Sequence, residues 1–166
     1  MPISIPARKR TQIASRLLSW YHKSKRDLPW RKTSDPYHIL LSEFMLQQTK
    51  VDTVIPYYHR FLKKFPTPID LTRASQLDVL KAWEGLGYYA RARNLHRAMQ
   101  EIFDKFDGKI PDTYDTLATL PGFGPYTTAA VLSIAFNQNY AVLDGNVIRV
   151  LCRLFGIRED ITQTQV

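Results

Sequence analysis

Hydrophobic residues recur along the chain at helical spacing, and alternation at strand spacing is nearly absent. Near the N-terminus, Ile13, Leu17 and Trp20 fall at i, i+4 and i+7, which places them on one face of a helix. The pattern predicts seven or eight helices, over residues 7–23, 34–48, 51–65, 75–83, 88–106, 113–120, 125–136 and 145–157. Short loops join these segments, so we predict an all-α, multi-helix bundle.

The length and composition suit one globular core, with 166 residues of which 45% are hydrophobic and 12% aromatic. No run of 18 apolar residues is present, and the N-terminus lacks the apolar stretch of a signal peptide. We therefore expect an intracellular protein without membrane association. The single cysteine, Cys152, excludes an internal disulfide and cannot by itself hold a zinc ion or an iron–sulfur cluster, so we assign no metal ligand.

Positive charge is concentrated at the N-terminus. Residues 1–32 carry nine Lys or Arg and one acidic residue, Asp27, whereas residues 33–166 carry fourteen of each sign. The formal net charge of +8 therefore arises entirely from the N-terminal fifth of the chain. A basic arm suits a polyanion such as nucleic acid, because each neutralised phosphate releases counterions. A solvated basic face is the alternative.

The segment LPGFGPYT, residues 120–127, lies between two predicted helices and contains two glycines, two prolines and no charge. Gly122 and Gly124 lack a Cβ, so their N–H groups can face outward. The helix that begins near Pro125 adds the positive end of its dipole. Such a helix, hairpin and helix can bind a phosphate through backbone donors alone, whereas an ordinary connector is the alternative.

Two acidic residues are candidates for chemistry. Asp144 lies where an apolar run meets a predicted helix, so it can cap that helix. An ionised carboxylate at this position can also stabilise positive charge on a bound sugar. Glu43 lies within a predicted helix between apolar residues. It either faces solvent or is partly buried with a raised pKa, and a raised pKa suits a general acid.

Two further segments carry side chains suited to nucleic acid. Residues 47–49, Gln-Gln-Thr, supply uncharged donors and acceptors that can read base edges, although surface polarity also explains them. The segment GLGYYARARNLH, residues 85–96, pairs tyrosines with arginines. Tyr88 can wedge or stack between bases and Arg91 can contact phosphate. In the alternative, the tyrosines cap a core.

These segments resemble the helix-hairpin-helix DNA glycosylases, and most closely the MutY-type adenine DNA glycosylases. The matching blocks are LPWR (28–31), SEFMLQQT (42–49), VIPYYHRF (54–61), WEGLGYYARARNLH (83–96), LPGFGPYT (120–127) and LDGNVIRV (143–150). They follow the family's order and spacing over residues 27–155. The resemblance implies a base-excision-repair enzyme that flips adenine out of a mispair with 8-oxoguanine or guanine and hydrolyses its N-glycosidic bond.

The resemblance also implies a role for each matching position. Glu43 is the acid that protonates adenine and later helps to activate water, and Asp144 stabilises the oxocarbenium-like sugar, with Asn146 orienting the catalytic carboxylate. The other positions are Leu28, Trp30, Arg31, Leu46 and Val51 around the extruded adenine, and Gln48, Thr49, Leu86 and Tyr88 beside the opposite base. From the residues themselves, we expect Gly122, Gly124 and Arg91 to contact the DNA backbone.

Tyr126 distinguishes groups within the superfamily that the chain resembles. Related bifunctional enzymes of the endonuclease III type carry a lysine there, which forms a Schiff base and cleaves the strand. Tyrosine therefore implies a monofunctional glycosylase with little or no lyase activity. Tyrosine also suits mismatch glycosylases that remove thymine from T·G pairs, which leaves that activity as an alternative. Binding of DNA without catalysis is another.

The same resemblance divides the chain into three parts. Residues 1–30 form a basic arm and helix, residues 31–140 a helical domain with the hairpin motif at about 113–136, and residues 141–166 the incomplete start of a second helical subdomain. Family members continue with further helices, a four-cysteine 4Fe–4S cluster and usually a domain that recognises 8-oxoguanine.

The four cluster cysteines are absent from this sequence. We therefore expect no cofactor in this chain, a truncation at its C-terminus, and an exposed apolar patch on the N-terminal helix. We also expect a monomer that acts on double-stranded DNA in the cytoplasm or nucleoid.

Overall fold

The computed structural model describes residues 5–158, and within that range the fold is all-α, as predicted. The helices are α1 (Ala7–Ser24), α2 (Pro36–Leu46), α3 (Val51–Lys64), α4 (Pro68–Arg73), α5 (Gln76–Trp83), α6 (Ala90–Phe106), α7 (Tyr114–Ala118), α8 (Pro125–Ala135) and α9 (Gly145–Phe155), with a 3-10 turn at Pro29–Arg31. The helical pattern predicts all of them except α4 and the 3-10 turn, which are short. In this described part of the chain, no helix is both long and apolar enough to cross a bilayer.

Polar side chains determine where several helices begin. The Asp35 carboxylate accepts hydrogen bonds from the N–H groups of Tyr37 and His38 at the start of α2. Thr67 and Asp70 form a capping box at the start of α4, in which each side chain bonds the backbone of the other. Helix α4 has only six residues, which are too few to show an apolar period. The capping box is therefore the sequence signal from which α4 could have been predicted.

Helix α2 is the central element of the core. It packs against α3, α6 and α8 and against the 3-10 turn. Its buried residues are Tyr37, Ile39, Leu40, Leu41, Ser42, Glu43, Phe44 and Met45. A helix surrounded in this way has no polar face. Its one acidic residue, Glu43, is therefore buried together with its apolar neighbours.

The chain divides into two compact units, one of residues 28–142 and one that groups residues 1–27 with residues 143–166. The boundaries predicted from the sequence are 30/31 and 140/141 instead. The first boundary differs because Leu28 and Trp30, at 5% and 6% exposure, belong to the core of the larger unit rather than to the basic arm.

The helices of the smaller unit, α1 and α9, contain no buried residue. On α1, Leu17 and Trp20 of the predicted apolar stripe are 58% and 61% exposed. On α9, Val150 and Leu154 are exposed to a similar extent. The apolar patch expected on the N-terminal helix is thus present, while the end of the predicted second subdomain, residues 159–166, lies outside the described residues.

Candidate functional site

Glu43 lies in the middle of α2 and is only 7% exposed. Burial raises the pKa of its carboxyl group from 4.5 to about 7, because the charged form loses its hydration. The Tyr126 hydroxyl donates a hydrogen bond to this carboxyl group and opposes part of the rise in pKa. Of the two alternatives that the sequence leaves open for Glu43, the structure has the buried one. Near neutral pH, a carboxyl group with this pKa exists in both protonation states.

Tyr126 reaches Glu43 because α8 begins directly after the hairpin and packs along α2. Tyr126 is itself 37% exposed, so it contacts the buried carboxyl group and remains open to solvent. Next to it, Gln47 Nε2 donates to Thr127 Oγ1 at 3.3 Å, which ties the end of α2 to the start of α8. This role of Thr127 is not predicted from the sequence, because local patterns do not pair residues on different helices.

The hairpin between α7 and α8 uses its two glycines differently. Gly122 has a φ of +81°, and a Cβ there would lie 2.6 Å from Phe44 Cε1, so this glycine lets the hairpin pack on α2. Gly124 has an ordinary φ of −77°, and a Cβ there would have no neighbouring atom within 4 Å. Within residues 5–158, neither glycine N–H donates to a backbone carbonyl. Gly124, which is exposed, precedes the first residue of α8, where a helix N-terminus favours an anion.

Asp144, in the smaller unit, is the N-cap of α9. Its Oδ1 accepts a hydrogen bond from the Val147 N–H at 2.7 Å, and its Oδ2 accepts one from Asn146 Nδ2 at 3.3 Å. Arg149 Nη2 donates in turn to Asn146 Oδ1 at 3.1 Å. Each carboxylate oxygen therefore has a donor that holds it in one orientation. The capping role does not exclude a chemical one, because an N-cap carboxylate keeps lone pairs free.

Two of the residues predicted to lie beside the opposite base have a left-handed backbone. Gln48 has a φ of +55° and Tyr88 a φ of +48°, and both side chains are exposed, that of Tyr88 to 61%. This conformation costs a residue other than glycine about 1 kcal/mol or more, so neighbouring groups must hold it. Thr49, which follows Gln48, is half-buried. Leu86 is 5% exposed and packs in the core, so it presents no side chain as a wedge.

From the sequence we expect Arg91 on the DNA backbone, but this prediction is wrong, because Arg91 is only 6% exposed and does not lie at a surface. Its Nη1 donates to the carbonyl groups of Phe44, Met45 and Gln47, and its Nη2 donates to those of Leu86 and Gly87. These acceptors occupy the end of the guanidinium group that would otherwise bind a phosphate. The cluster of aromatic and cationic residues is real, but Arg91 has an internal role in it.

The five residues predicted to surround an extruded adenine differ in exposure. Leu28 and Trp30 are buried in the core. Arg31 is exposed, and Leu46 and Val51, at the turn between α2 and α3, are half-buried. Only the last three are accessible to a ligand in this structure.

Metal-ligating residues do not converge in the described part of the chain, where no group of three or more His, Cys, Asp or Glu side chains could hold an ion. Cys152, the only cysteine of the sequence, is half-buried in α9. The iron–sulfur cluster that the resemblance implies for longer family members takes four cysteine thiolates. The residues of this chain do not fit that cluster.

Comparison with known proteins identifies the family. The model of the HhH-GPD superfamily of base excision DNA repair proteins matches residues 41–166. The chain belongs to this superfamily. The matched range of this HhH-GPD protein includes Glu43, the hairpin and Asp144, and among the described elements only α1, the 3-10 turn and the first residues of α2 precede it.

This HhH-GPD protein is similar to curated proteins from mammals and bacteria. It is 47% identical to the adenine DNA glycosylase of Rattus norvegicus over 165 residues, which cover 94% of this chain and 32% of that protein. It is 44% identical to the adenine DNA glycosylase of Mycobacterium tuberculosis over 145 residues, covering 87% of this chain and 48% of that protein. The chain thus spans about a third of the mammalian relative and about half of the bacterial one.

Two solved structures have the same fold. A thermostable thymine-DNA glycosylase matches with a TM-score of 0.81 and 32% identity, covering 87% of this chain and 67% of that one. A non-covalent endonuclease III–DNA complex matches with a TM-score of 0.77 and 24% identity, covering 91% of this chain and 70% of that one. At 24% identity, the similarity to the endonuclease III complex shows a shared fold and nothing further.

Proposed function

We propose that this chain is the catalytic part of an adenine DNA glycosylase, which hydrolyses the N-glycosidic bond of adenine mispaired with 8-oxoguanine or guanine. The observation that carries the proposal is the buried Glu43 carboxyl group, whose pKa of about 7 and hydrogen bond from Tyr126 suit a general acid at neutral pH. Relatives named adenine DNA glycosylase, 44% and 47% identical over most of the chain, support the same base.

Cleavage of the bond between the sugar and adenine leaves the electron pair on the base, and adenine is a poor leaving group as an anion. Glu43 delivers a proton to a ring nitrogen of adenine, such as N7, so that the base leaves as a neutral molecule. The Glu43 carboxylate that remains then helps to activate the attacking water. A pKa near 7 serves both steps, because the group must give up its proton and take one back.

The sugar becomes positively charged as the base leaves, and it needs an anion close to it. Asp144 supplies this anion in the proposed mechanism. Asn146, which donates to the Asp144 carboxylate at 3.3 Å, keeps that carboxylate oriented. Glycoside hydrolases likewise use two carboxyl groups with separate roles, one as the acid and one as the anion.

The substrate is double-stranded DNA, whose backbone binds the hairpin N–H groups of Gly122 and Gly124 at the positive end of α8. The basic residues of the N-terminal arm add affinity that does not depend on sequence. A base stacked in a duplex cannot reach a buried carboxyl group, so adenine is flipped out. Gln48, Thr49 and Tyr88 then probe the space beside the opposite base. We place this reaction in the cytoplasm or nucleoid, with one chain acting on each mispair.

We also propose that the enzyme is monofunctional. The residue that accompanies the acid is Tyr126, and a phenol hydroxyl cannot form the Schiff base with the sugar that a lysine amine forms. Incubation with the mispaired duplex and borohydride should therefore trap no covalent adduct. An adduct formed as efficiently as with a lysine-containing glycosylase would contradict this part of the proposal.

Removal of thymine from T·G pairs is the second candidate, and the likeness to the thymine-DNA glycosylase at a TM-score of 0.81 and 32% identity favours it. The chemistry of Glu43 argues for adenine. Thymine joined to a sugar through N1 has no basic ring nitrogen for an acid to protonate, whereas adenine has several. A buried carboxyl group with a pKa of about 7 is suited to the purine.

Single-turnover base release from A·8-oxoguanine, A·G and T·G duplexes separates the candidates. We expect the wild-type chain to release adenine and Glu43→Gln to release none while binding the same duplex. Release of thymine without adenine would favour the second candidate. Binding of all three duplexes without release would leave DNA binding as the only function.

A further inference from the structure

We propose that Arg91 is a positioning residue that holds Gln48 and Tyr88 in one fixed arrangement. The use of that arrangement, to probe the base opposite the flipped adenine, rests on the proposed function. The arrangement itself rests on hydrogen bonds of this chain. Gln48 follows α2 and Tyr88 lies between α5 and α6, so chain connectivity alone does not fix one relative to the other.

One guanidinium group bonds both segments. Arg91 Nη1 donates to the carbonyl of Gln47, and Nη2 donates to the carbonyl of Gly87 at 3.2 Å. Each carbonyl belongs to the rigid peptide unit that leads into a left-handed residue, Gln48 in one case and Tyr88 in the other. The two bonds therefore hold the peptide planes on which these unfavourable backbone conformations depend.

Further bonds anchor the same guanidinium group to the body of the fold. Nη1 donates to the carbonyl groups of Phe44 at 3.1 Å and Met45 at 2.7 Å, and Nη2 donates to that of Leu86 at 3.3 Å. Phe44 and Met45 lie in the last turn of α2, where carbonyl groups have no partner within the helix. A cation is also favoured at this negative end of the helix dipole.

Two aromatic rings complete the surroundings of Arg91. The guanidinium carbon lies 5.3 Å from the centroid of the Tyr88 ring and 5.5 Å from that of the Trp83 ring. Trp83 Nε1 also donates to the Gly87 carbonyl at 3.1 Å. Arg91 thus contacts the exposed Tyr88 side chain directly as well as the backbone that leads to it.

Burial couples the two segments. Arg91 is 6% exposed, and a buried cation is costly unless its donors are paired. Movement of the Gly87 carbonyl would leave one N–H of Nη2 without an acceptor, and movement of the Gln47 carbonyl would remove one of the three carbonyl groups that accept from Nη1. One buried guanidinium group therefore stabilises both segments, and a base that displaces either of them must break a hydrogen bond to Arg91.

The first test needs no DNA. NMR chemical shifts of the Gln48 and Tyr88 backbones, which report φ, are compared in the wild-type chain, Arg91→Met and Arg91→Lys. A lysine keeps the charge, but its single ammonium group cannot bond both segments as the planar fork does. We expect both residues to lose their left-handed shifts in both variants, and Arg91→Lys provides the answer if Arg91→Met does not fold. Left-handed shifts retained at either residue in Arg91→Lys would overturn the proposal.

Tyr37→Phe is the matched control. Tyr37 lies at the other end of α2, and its hydroxyl donates a buried hydrogen bond to the Phe65 carbonyl at 2.8 Å. The substitution removes a buried hydrogen bond of the same helix without touching Arg91. The shifts of Gln48 and Tyr88 should stay as in the wild-type chain, and a change as large as that in Arg91→Lys would show general destabilisation and overturn the proposal.

The second test concerns the use of the arrangement. Affinities for an A·8-oxoguanine duplex and a matched A·T duplex are measured in a Glu43→Gln background, so that no base is released. We expect Arg91→Lys to weaken binding of the mispair about tenfold and to leave the matched duplex within about twofold, because backbone contacts are unchanged. If Arg91→Lys keeps the wild-type ratio of the affinity for the A·8-oxoguanine duplex to that for the A·T duplex, the proposed use is overturned. Absence of any preference in the parent chain would count against the proposed function, and the DNA-free shifts would still decide the role of Arg91.

Discussion

Tyr126 donates its hydroxyl hydrogen to the buried carboxyl group of Glu43, although the two residues lie on different helices and only the tyrosine is open to solvent. The hydrogen bond favours the ionised form of Glu43, whereas burial favours the protonated form and has the larger effect. The resulting pKa of about 7 lies where a small change in either effect alters the protonation state. The packing of α8 on α2 thereby controls the acid of the proposed reaction.

Replacing Glu43 by glutamine should stabilise the chain at alkaline pH. The pKa of the carboxyl group is about 7 in the folded chain and 4.5 in its ordinary state, so ionisation opposes folding. The stability that the protonated group contributes is complete below pH 4.5 and is lost as the pH rises through 7. We expect the free energy of unfolding of the wild-type chain to fall by about 3 kcal/mol relative to Glu43→Gln over this window.

Urea unfolding of both proteins at pH 5 and pH 8 measures this difference. Glu84→Gln, which removes an exposed carboxyl group, is the control for loss of charge as such. A difference between the wild-type chain and Glu43→Gln that is equal at the two pH values would contradict a raised pKa.

Replacing Tyr126 by phenylalanine should raise the pKa of Glu43 further, because the hydrogen bond that favours the carboxylate is lost. A reaction that needs the protonated acid then persists to higher pH. We expect the descending limb of the single-turnover rate against pH to move to higher pH than in the wild-type chain. A limb that stays in place or moves to lower pH would show that Tyr126 does not control the acid.

The two hairpin glycines should respond differently to alanine. Gly122→Ala places a Cβ 2.6 Å from Phe44 Cε1 at a positive φ, and we expect it to lower the free energy of unfolding by about 1–3 kcal/mol. Gly124→Ala meets no neighbouring atom and should leave stability unchanged. Its methyl group stands where the proposed DNA backbone approaches, so the affinity for duplex DNA should fall severalfold. Equal thermal stability of the two variants, or full affinity of Gly124→Ala, would contradict the roles assigned to the two glycines.

The basic N-terminal helix should contribute to the salt dependence of DNA binding. Arg8, Lys9 and Arg10 are exposed on α1. If each neutralises one phosphate, changing all three to glutamine should reduce the slope of log affinity against log salt by about 3. Lys105→Gln, which removes a lysine paired with Glu101 at 2.8 Å, is the control. An unchanged slope in the triple variant would favour a solvated face instead.

Features that depend on neighbouring residues could be predicted from the sequence. The apolar period placed most helices, and Asp35 and the hairpin glycines mark the starts of α2 and α8 because caps and turns involve residues close in sequence. Several predicted helix ends differ from the structure by two residues, and one of them is the end of α2, expected at residue 48 and observed at Leu46. No glycine or proline signals that end, and the structure has a distant group, Arg91, bonded to the last carbonyls.

Features that depend on packing between helices could not be predicted in the same way. Whether Glu43 is buried depends on α3, α6 and α8, which surround α2 only in the fold. Arg91 was expected on DNA because its segment is rich in cations and aromatics, yet its acceptors lie at the end of α2 and in the loop before Tyr88. Leu28 and Trp30 extend the core beyond the expected boundary for the same reason.

The central claim, two-carboxyl hydrolysis of the bond to adenine, is tested most directly by Asp144→Asn. Asparagine still accepts the Val147 N–H bond that begins α9, so the cap and the stability should be preserved. The measurement is single-turnover adenine release from a duplex with one A·8-oxoguanine pair, with duplex affinity measured alongside. The proposal predicts a rate at least about a hundredfold below that of the wild-type chain at unchanged affinity. Release by Asp144→Asn at the wild-type rate would contradict it.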